Sequence, residues 1–359
     1  MRFGLSGDQE MLAASVRRYL QAEVSLDVVR AVASGEDGGA VWAGLAELGV
    51  PALLVPEAAG GLGLGLLDAV VVAECLGEAV APAPFVGSAV CLPVALRAAG
   101  LAENDAWAEL LGGLATGEVR MGAALVDAVA PRRDAGVRAA GGALSGRALY
   151  ALDVDADHYL VADEARALYL VARDAEGLEV LPLTTVDRTR TTADLHFVET
   201  PARLVSSDPA VHAAVLDAAR VMLAADTLGA AQHMLDAAVA YAKDREQFGR
   251  PIGSFQAVKH MCAQMASDLE PCRSLVWYAG HALQSVPDEA PLVSCHAKAM
   301  LAEVGRSVAK TATEVHGGMG FTDLLGLHYW FKRIGANRQL LGAPELVREE
   351  AARLQGLVA

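Results

Sequence analysis

Lysine is absent from the first 208 residues of this 359-residue chain, which carry 15 arginines against 29 acidic residues, a net charge of −14. The remaining 151 residues hold 14 basic and 15 acidic groups, net −1. With −15 overall, the chain lacks the basic surface that counterion release on a nucleic acid requires, which argues against such a partner. A polyphosphate ligand is expected to find its cations in the C-terminal part. Cysteine is scarce. Cys75, Cys91, Cys262, Cys272 and Cys295 are odd in number, widely spaced and form no CxxC, which argues against a disulfide framework or a zinc site. They read as small buried apolar residues in a reducing cytoplasm. Long hydrophobic runs are lacking too. The longest uncharged stretch, residues 79–96, is interrupted by Pro82, Pro84 and Pro93 and does not read as a membrane span. The opening MRFGLSGDQE has no apolar segment of the secretory kind.

What is present is a large supply of core. Apolar residues make up 53% of the chain, enough to bury two or three domains or subdomains. Residues 1–118 are Ala/Leu/Val-rich and helical in period, with Leu12, Val16, Leu20 and Val24 four apart and Trp42, Leu45 and Leu48 marking a short helix that ends at Gly49. Residues 119–208 change period. MGAALVDAV, HYLVAD, ALYLVARD, GLEVLPL and ADLHFVE are short segments bounded by Asp, Gly or Pro, which predicts a small antiparallel sheet with a hairpin connection at residues 174–177. Residues 209–359 return to helix. A segment from Pro209 to Lys243, one carrying Val258, Met261, Met265, Leu269, Cys272 and Val276 three or four apart, one over residues 291–313 and a last pair flanking Gly342 predict a helical bundle. The fold class is therefore mostly α with a central β domain.

Several nucleotide and metal signatures fail on spacing. In GGLGLGLL, residues 60–67, Leu66 stands where the third glycine of a dinucleotide fingerprint belongs, so the stretch reads as a helix connection. There is no GxxxxGK[ST] and no Glu-x-x-His for a diiron bundle, and no metal is expected. Two stretches remain. REQFGRPIGSFQ, residues 245–256, sets Arg245 and Arg250 beside the start of a helix. Guanidiniums and backbone donors there suit a pyrophosphate, and Phe248, Ile252 and Phe255 suit a flat ring. By composition alone an ordinary capped turn is the favoured reading. EVHGGMGFT, residues 314–322, has paired glycines that let a ligand approach the backbone, or form a plain loop.

Together and in this order, R-x-x-F-G-x-x-I-x-x-F-Q and HGGMGF resemble the acyl-CoA dehydrogenase family. The resemblance spans the whole chain and implies an N-terminal helical domain, an antiparallel β domain and a C-terminal four-helix bundle, with boundaries at 1–118, 119–208 and 209–359. It implies an FAD flavoprotein that oxidises an acyl-CoA thioester to the 2-enoyl-CoA, a carboxylate taking the α proton while the β hydrogen leaves as hydride. In that family these two segments of one subunit hold the adenosine and pyrophosphate end of FAD, whose flavin ring lies in the neighbouring subunit. Carried over, Arg245, Phe248, Ile252, Phe255, Gln256, Gly317 and Gly318 are the implied FAD contacts. Glu314 stands where the family usually has glutamine, and its charge would repel a pyrophosphate unless protonated or turned away.

The chain departs from the family elsewhere. Its Thr-Glu-Pro and Gly-Ser-Asp stretch, which cradles the flavin ring, corresponds here to LVDAVAPRRDAG, without a hydroxyl residue. No tryptophan occurs between Trp107 and Trp277 to supply the family's Trp-x-Thr strand. The two positions that carry the base are Gly342 and Ala219, neither of which accepts a proton. Asp217 and Asp226 read as solvated or capping groups. The half of the cofactor site that serves a neighbour is kept and the half that serves the chain's own chemistry is lost, so no catalytic residue is assigned. Some actinobacterial family members, associated with steroid or other bulky CoA substrates, are heterotetramers in which a short base-less subunit completes the partner's FAD site, and this chain resembles such a subunit. The implied partners are a homologous subunit carrying the base and an acyl-CoA substrate. Two alternatives stay open: a homomeric acyl-CoA dehydrogenase with a displaced carboxylate, and a flavin-free acyl-CoA-binding or scaffold protein.

Overall fold

The computed structural model describes residues 4–129 and 132–358. Helix α1 (Gly7–Glu23) starts at Ser6, whose hydroxyl accepts from the Gln9 amide while the Gln9 side chain accepts from the Ser6 amide, a reciprocal cap. Its inner face buries Ala13, Val16 and Leu20. After it come α2 (Leu26–Ala33), capped by Ser25, then α3 (Gly39–Glu47), α4 (Leu66–Glu78), α5 (Leu92–Ala98) and α6 (Ala108–Thr116). The periodicity of the opening segment thus reads correctly. Helix α2, eight residues with a single fully buried side chain, is too short to carry a period.

The middle of the chain forms β1 (Met121–Ala124), a helical turn α7 (Val126–Val129), β2 (Gly136–Ala140), β3 (Ala143–Leu152), β4 (His158–Ala162), β5 (Leu168–Ala172), β6 (Leu178–Leu183), β7 (Thr192–Pro201) and β8 (Arg203–Ser206). The sheet runs β6-β7-β3-β1-β4-β5-β8, with β2 paired to β3. It corrects the sequence reading in three ways. MGAALVDAV, read as one strand segment, is strand over Met121–Ala124 and helical over Val126–Val129. The sheet is mixed rather than antiparallel, because β1 and β4 run parallel, Met121 opposite His158. The chain leaves β1 through α7 and the β2–β3 hairpin, β3 takes one side of β1, and β4 returns on the other in the same direction. Residues 174–177 do not close a hairpin either: β5 pairs with β4 and β8, and β6 pairs with β7. A tight turn in sequence says nothing about which strand edge is still free.

The C-terminal part holds α8 (Pro209–Asp244), a small ribbon of β9 (Glu246–Gln247) and β10 (Arg250–Pro251), α9 (Gln256–Ser285), α10 (Ala290–His316), α11 (Leu327–Gln339) and α12 (Pro344–Leu354). Helix α8, 36 residues and about 54 Å long, is buried along most of its length. It is the axis on which the N-terminal helices and the bundle meet. At its crossing with α4 the backbones nearly touch. A Cβ built on Gly77 would lie 1.9 Å from the Asp226 carbonyl oxygen, and one on Gly229 1.9 Å from that of Glu74. One apolar core runs through the N-terminal helices and the bundle, while Val137, Leu144, Tyr159, Val171, Leu195 and Phe197 build a separate core on the sheet. Helix α12 closes the bundle by setting Val347 and Ala351 against Cys295 and Ala299 of α10. Cys75, Cys91, Cys272 and Cys295 are buried and Cys262 is half-buried, all five unpaired. Among the described residues no helix is long and apolar enough to cross a membrane.

Candidate cofactor surface and the closed base positions

The structure brings the two singled-out stretches to one end of the bundle. Helices α8 and α10 finish side by side, Tyr241 and His316 ring to ring at 4.5 Å, so the β9–β10 ribbon and the glycine loop that follow them are neighbours. In the ribbon Arg250 faces Gln247 and Pro251 faces Glu246, leaving Phe248 and Gly249 as a two-residue tip with φ of 55° and 72°. Positive φ at both positions is the geometry that right-twisted strands need from a two-residue connection. It strains a bulky residue such as Phe248. That residue is 93% exposed, so burial does little to offset the strain.

Arg245 and Arg250 are exposed, and no carboxylate among the described residues pairs with either. The Arg250 guanidinium lies over the Phe255 ring at 4.1 Å, and Phe248 meets the same ring edge-on at 6.1 Å. Phe255 thus presents one face to a cation. Ile252 is half-buried and closes the ribbon, its amide donating to the Arg245 carbonyl at 2.7 Å. Gln256 opens α9 and its side chain bonds His260 at 2.8 Å. No side chain caps the first turn of α9, so its amides remain available to an anion. At the loop, Gly317 has φ of 56°, and a Cβ on Gly317 or Gly318 would meet nothing within 4 Å. The space above the paired glycines is open. Glu314 is exposed with its carboxylate 3.8 Å from Lys310, one turn back on α10, which offsets its charge.

Both positions at which the resemblance would place the base, Gly342 and Ala219, are closed. Gly342 sits at φ of 114°, and a Cβ there would lie 2.9 Å from Val347 Cγ2, 3.3 Å from Val129 Cγ1 and 3.4 Å from Arg220 Nη2. Ala219 is fully buried in α8. Two buried cations hold the loop around Gly342. Arg220 donates to the Leu341 carbonyl at 2.9 Å and to Glu350 at 2.8 Å, and Lys298 donates to the carbonyls of Asn337, Arg338 and Gly342 at 2.8, 3.2 and 3.1 Å. Burial pushes the Lys298 ammonium down to about 7, with Arg220 and Arg338 adding to the push. Its three carbonyl acceptors favour the charged form against that push. In the stretch LVDAVAPRRDAG, residues 126–129 form α7 and Val129 packs toward Gly342, while Ala130 and Pro131 lie outside the described residues.

Asp217 and Asp226 are buried, not solvated or capping as the sequence suggested. Charges inside the nearly continuous apolar run of α8 face inward on every side, and each needs a partner there. Asp226 finds two: Arg333 at 3.1 Å and the Asn337 amide at 2.6 Å. Arg333, 1% exposed, also pairs with Asp187 at 3.2 Å and donates to Thr189 and to the carbonyls of Val80 and Ala81. Burial would raise the Asp187 carboxyl, but Arg333 and Arg190 together hold it below its ordinary value. The N-terminal helices, the sheet and the bundle thus meet in one buried ionic network. Sequence reasoning missed it: Asp226 was visible as a charge in an apolar run, but Asp187 and Arg333 each stand beside another charge, Arg188 and Lys332, and gave no such signal.

Asp217 is served less well. Burial pushes its carboxyl up to about 7, and Arg220 at 3.9 Å offsets only part of that, with Glu350 opposing. A folded-state value above the unfolded one means the folded protein holds the proton more tightly. Stability therefore falls as pH rises from about 4 towards 7, and the penalty is complete above about 7. Asp217→Asn should raise stability by roughly 2 kcal/mol at pH 8, about half of the full linkage, and change little near pH 4, as read from urea melts at the two pH values.

A cavity of about 520 Å³ lies where the three regions meet, lined by Trp42, Leu76, residues 81–87, Leu152, Met222, Asp226 and Arg333. Gly342, Ala219 and the proposed cofactor contacts do not line it. Asp226 does, but its charge is committed to Arg333 and Asn337. Among the described residues no group of His, Cys, Asp and Glu is arranged to hold a metal.

Family models agree with this architecture. The acyl-CoA dehydrogenase N-terminal domain model matches residues 6–118, and the C-terminal domain model matches residues 210–355. The acyl-CoA dehydrogenase IpdE2 of Mycobacterium tuberculosis is 31% identical over 359 residues, covering 98% of this chain and 97% of that protein. FadE34, another acyl-CoA dehydrogenase of the same organism, is 32% identical over 346 residues, covering 91% of this chain and 44% of that protein. Among solved structures, the steroid ACAD Tcur3481-Tcur3483 superposes with a TM-score of 0.88 at 30% identity, covering 97% of this chain and 98% of that one. The ChsE4-ChsE5 complex of Mycobacterium tuberculosis superposes with a TM-score of 0.89 at 25% identity over the full length of both chains. The chain belongs to the acyl-CoA dehydrogenase family.

Proposed function

We propose that this chain is the non-catalytic subunit of a heteromeric acyl-CoA dehydrogenase, completing an FAD site whose flavin ring and base lie in a homologous partner. The observation that carries this reading is Gly342. The position that would hold the base has a glycine backbone, no room for a Cβ and a buried guanidinium beside it. At the far end of the bundle, the residues fit the phosphate end of a dinucleotide: among the described residues Arg245 and Arg250 have no carboxylate partner and the helix start has no side-chain cap, and the pair of glycines is open. When bound, FAD supplies acceptance of the β hydride of an acyl-CoA thioester. Arg245, Gln256, Gly317 and Gly318 would hold its phosphates, and Phe248 would lie along its exposed flank. Support also comes from the similarity to ChsE4-ChsE5, a two-protein complex, and to a steroid ACAD, which suggests a steroid or other bulky acyl-CoA. FadE34, more than twice as long as the segment it shares with this chain, has room for a second unit of equal size in one polypeptide.

The test is cofactor content. Purified alone, the chain should carry little flavin, and co-expressed with its dehydrogenase-like partner it should give a yellow complex. Arg245→Ala in that complex should weaken FAD binding roughly 10- to 100-fold, the loss of a charge-assisted contact to phosphate, read as flavin released on dilution. Stoichiometric FAD with turnover in the single chain would overturn the proposal. So would an Arg245→Ala complex that holds flavin as tightly as the original.

A further inference from the structure

We infer that Arg30, on the N-terminal helix α2, is a positioning residue for the glycine loop of the bundle, acting through Asp323. The inference rests on the reading of that loop as a cofactor contact and goes beyond it, because Arg30 lies nearly 300 residues away in sequence and touches no cofactor residue. The glycine loop leads into a short turn before α11, and three hydrogen bonds to this turn come from outside the bundle, all from Arg30. Arg30 Nε lies 3.0 Å from the Asp323 carboxylate, and its Nη2 donates to the carbonyl of Asp323 and, at 3.3 Å, to that of Leu324. The Arg30 Nη1 is held by Asp27, one turn back, at 2.9 Å. One planar guanidinium thus grips a side chain and two consecutive carbonyls, which a lysine cannot reproduce.

The turn is shaped to receive this grip. The Asp323 carbonyl accepts from Arg30 and from the Gly326 amide, and the other Asp323 oxygen is 2.8 Å from His328 Nε2. Both the His328 bond and Arg30 hold the Asp323 carboxyl below its ordinary value. Gly326, at φ of 64°, sits so close to α2 that a Cβ would fall 2.4 Å from Leu26 Cδ1. On the loop side, Thr322 bonds back to the Met319 carbonyl through its amide at 3.1 Å and its hydroxyl at 2.8 Å, joining the anchored turn to the glycine segment. Phe321 and Leu324, 79% and 70% exposed, project from the stretch between the two anchors. The latch adds to the Gly326 and His328 bonds and to the packing of Leu325 on the core, and without it the turn carrying the glycines and these two side chains is expected to open locally more often.

Amide hydrogen exchange on the full-length chain, with no cofactor or partner, reads the latch directly. Arg30→Ala should speed exchange at the Thr322 and Gly326 amides roughly three- to ten-fold. Arg30→Lys should fall between, and Asp27→Asn should leave exchange within about two-fold of the original. In the assembled complex, Arg30→Ala should speed flavin release by a similar factor, with an unchanged melting temperature of the isolated chain. Unchanged exchange in Arg30→Ala overturns the latch, and faster exchange with unchanged flavin release overturns its positioning role. A flavin-free wild-type complex would instead sink the cofactor reading itself, while the exchange result still decides whether Arg30 holds the turn.

Discussion

Gly342→Glu, which puts a carboxylate where the family resemblance would place the base, is expected to produce no acyl-CoA oxidation and a protein destabilised by about 4 kcal/mol or more. Two physical effects combine. At φ of 114° any side chain strains the backbone, and the first carbon would press on Val347 at 2.9 Å in a region packed from both sides. Were the backbone to yield, the new carboxylate would meet Arg220, whose Nη2 already lies 3.4 Å from the Cβ position. A carboxylate paired with a buried guanidinium is held ionised and hydrogen-bonded, and is a poor proton acceptor. Gly342→Ala separates the two effects, since it keeps the strain and contact but adds no charge. It should show roughly half of the loss in a urea melt. Turnover by the glutamate variant, alone or in a complex whose partner base has been removed, would show that the site was vacated only in name.

Arg333→Ala should cost about 4 to 5 kcal/mol, enough to unfold a marginal domain. The guanidinium is fully enclosed, and its removal leaves Asp187 with Arg190 as its one cation, Asp226 with the neutral Asn337 amide and the carbonyls of Val80 and Ala81 without this donor. Most of the cost is the desolvation of charges left behind rather than the worth of the pairs. The loss carries a pH signature. Asp187 has a folded-state value below its unfolded one, so its contribution is present above about pH 4 and disappears as pH falls through the folded value. The gap between wild type and variant should therefore narrow in acid, as checked by melts between pH 7 and pH 3. Arg333→Lys should recover only part of the loss, because one ammonium cannot span two carboxylates and two carbonyls.

Much of the molecule was legible before any coordinates. The three-or-four spacing from Val258 to Val276 gave α9, with Met265, Leu269, Cys272 and Val276 buried as the period requires. Pro209 and Pro344 both open helices, as proline without an amide should. Arg245 to Gln256 and the paired glycines were singled out by residue type, and both lie exposed at one end of the bundle. The β region was read less well. Segment lengths and boundaries predicted strands, but pairing depends on which edge remains free, so the parallel β1–β4 contact and the absence of a β5–β6 hairpin could not be deduced. The buried charges were misread for a related reason. On a helix that is apolar on all sides, position alone does not tell a solvated aspartate from one paired across 100 residues of chain, as Asp226 is with Arg333.

By itself the sequence determined what this protein lacks. No proton acceptor stands at Gly342 or Ala219, and cations do stand at Arg245 and Arg250, because chemistry at a position is fixed by the side chain present there. Only the tertiary structure decided what surrounds Gly342. Arg220, Lys298, Val129 and Val347 come from four separate parts of the chain and converge on Gly342 through folding alone. It also decided that Asp226 and Asp217, one tied into an ionic network and one left half-served, have different fates on the same helix. Burial and partner distance set the energy of a charge, and neither is written in the order of residues.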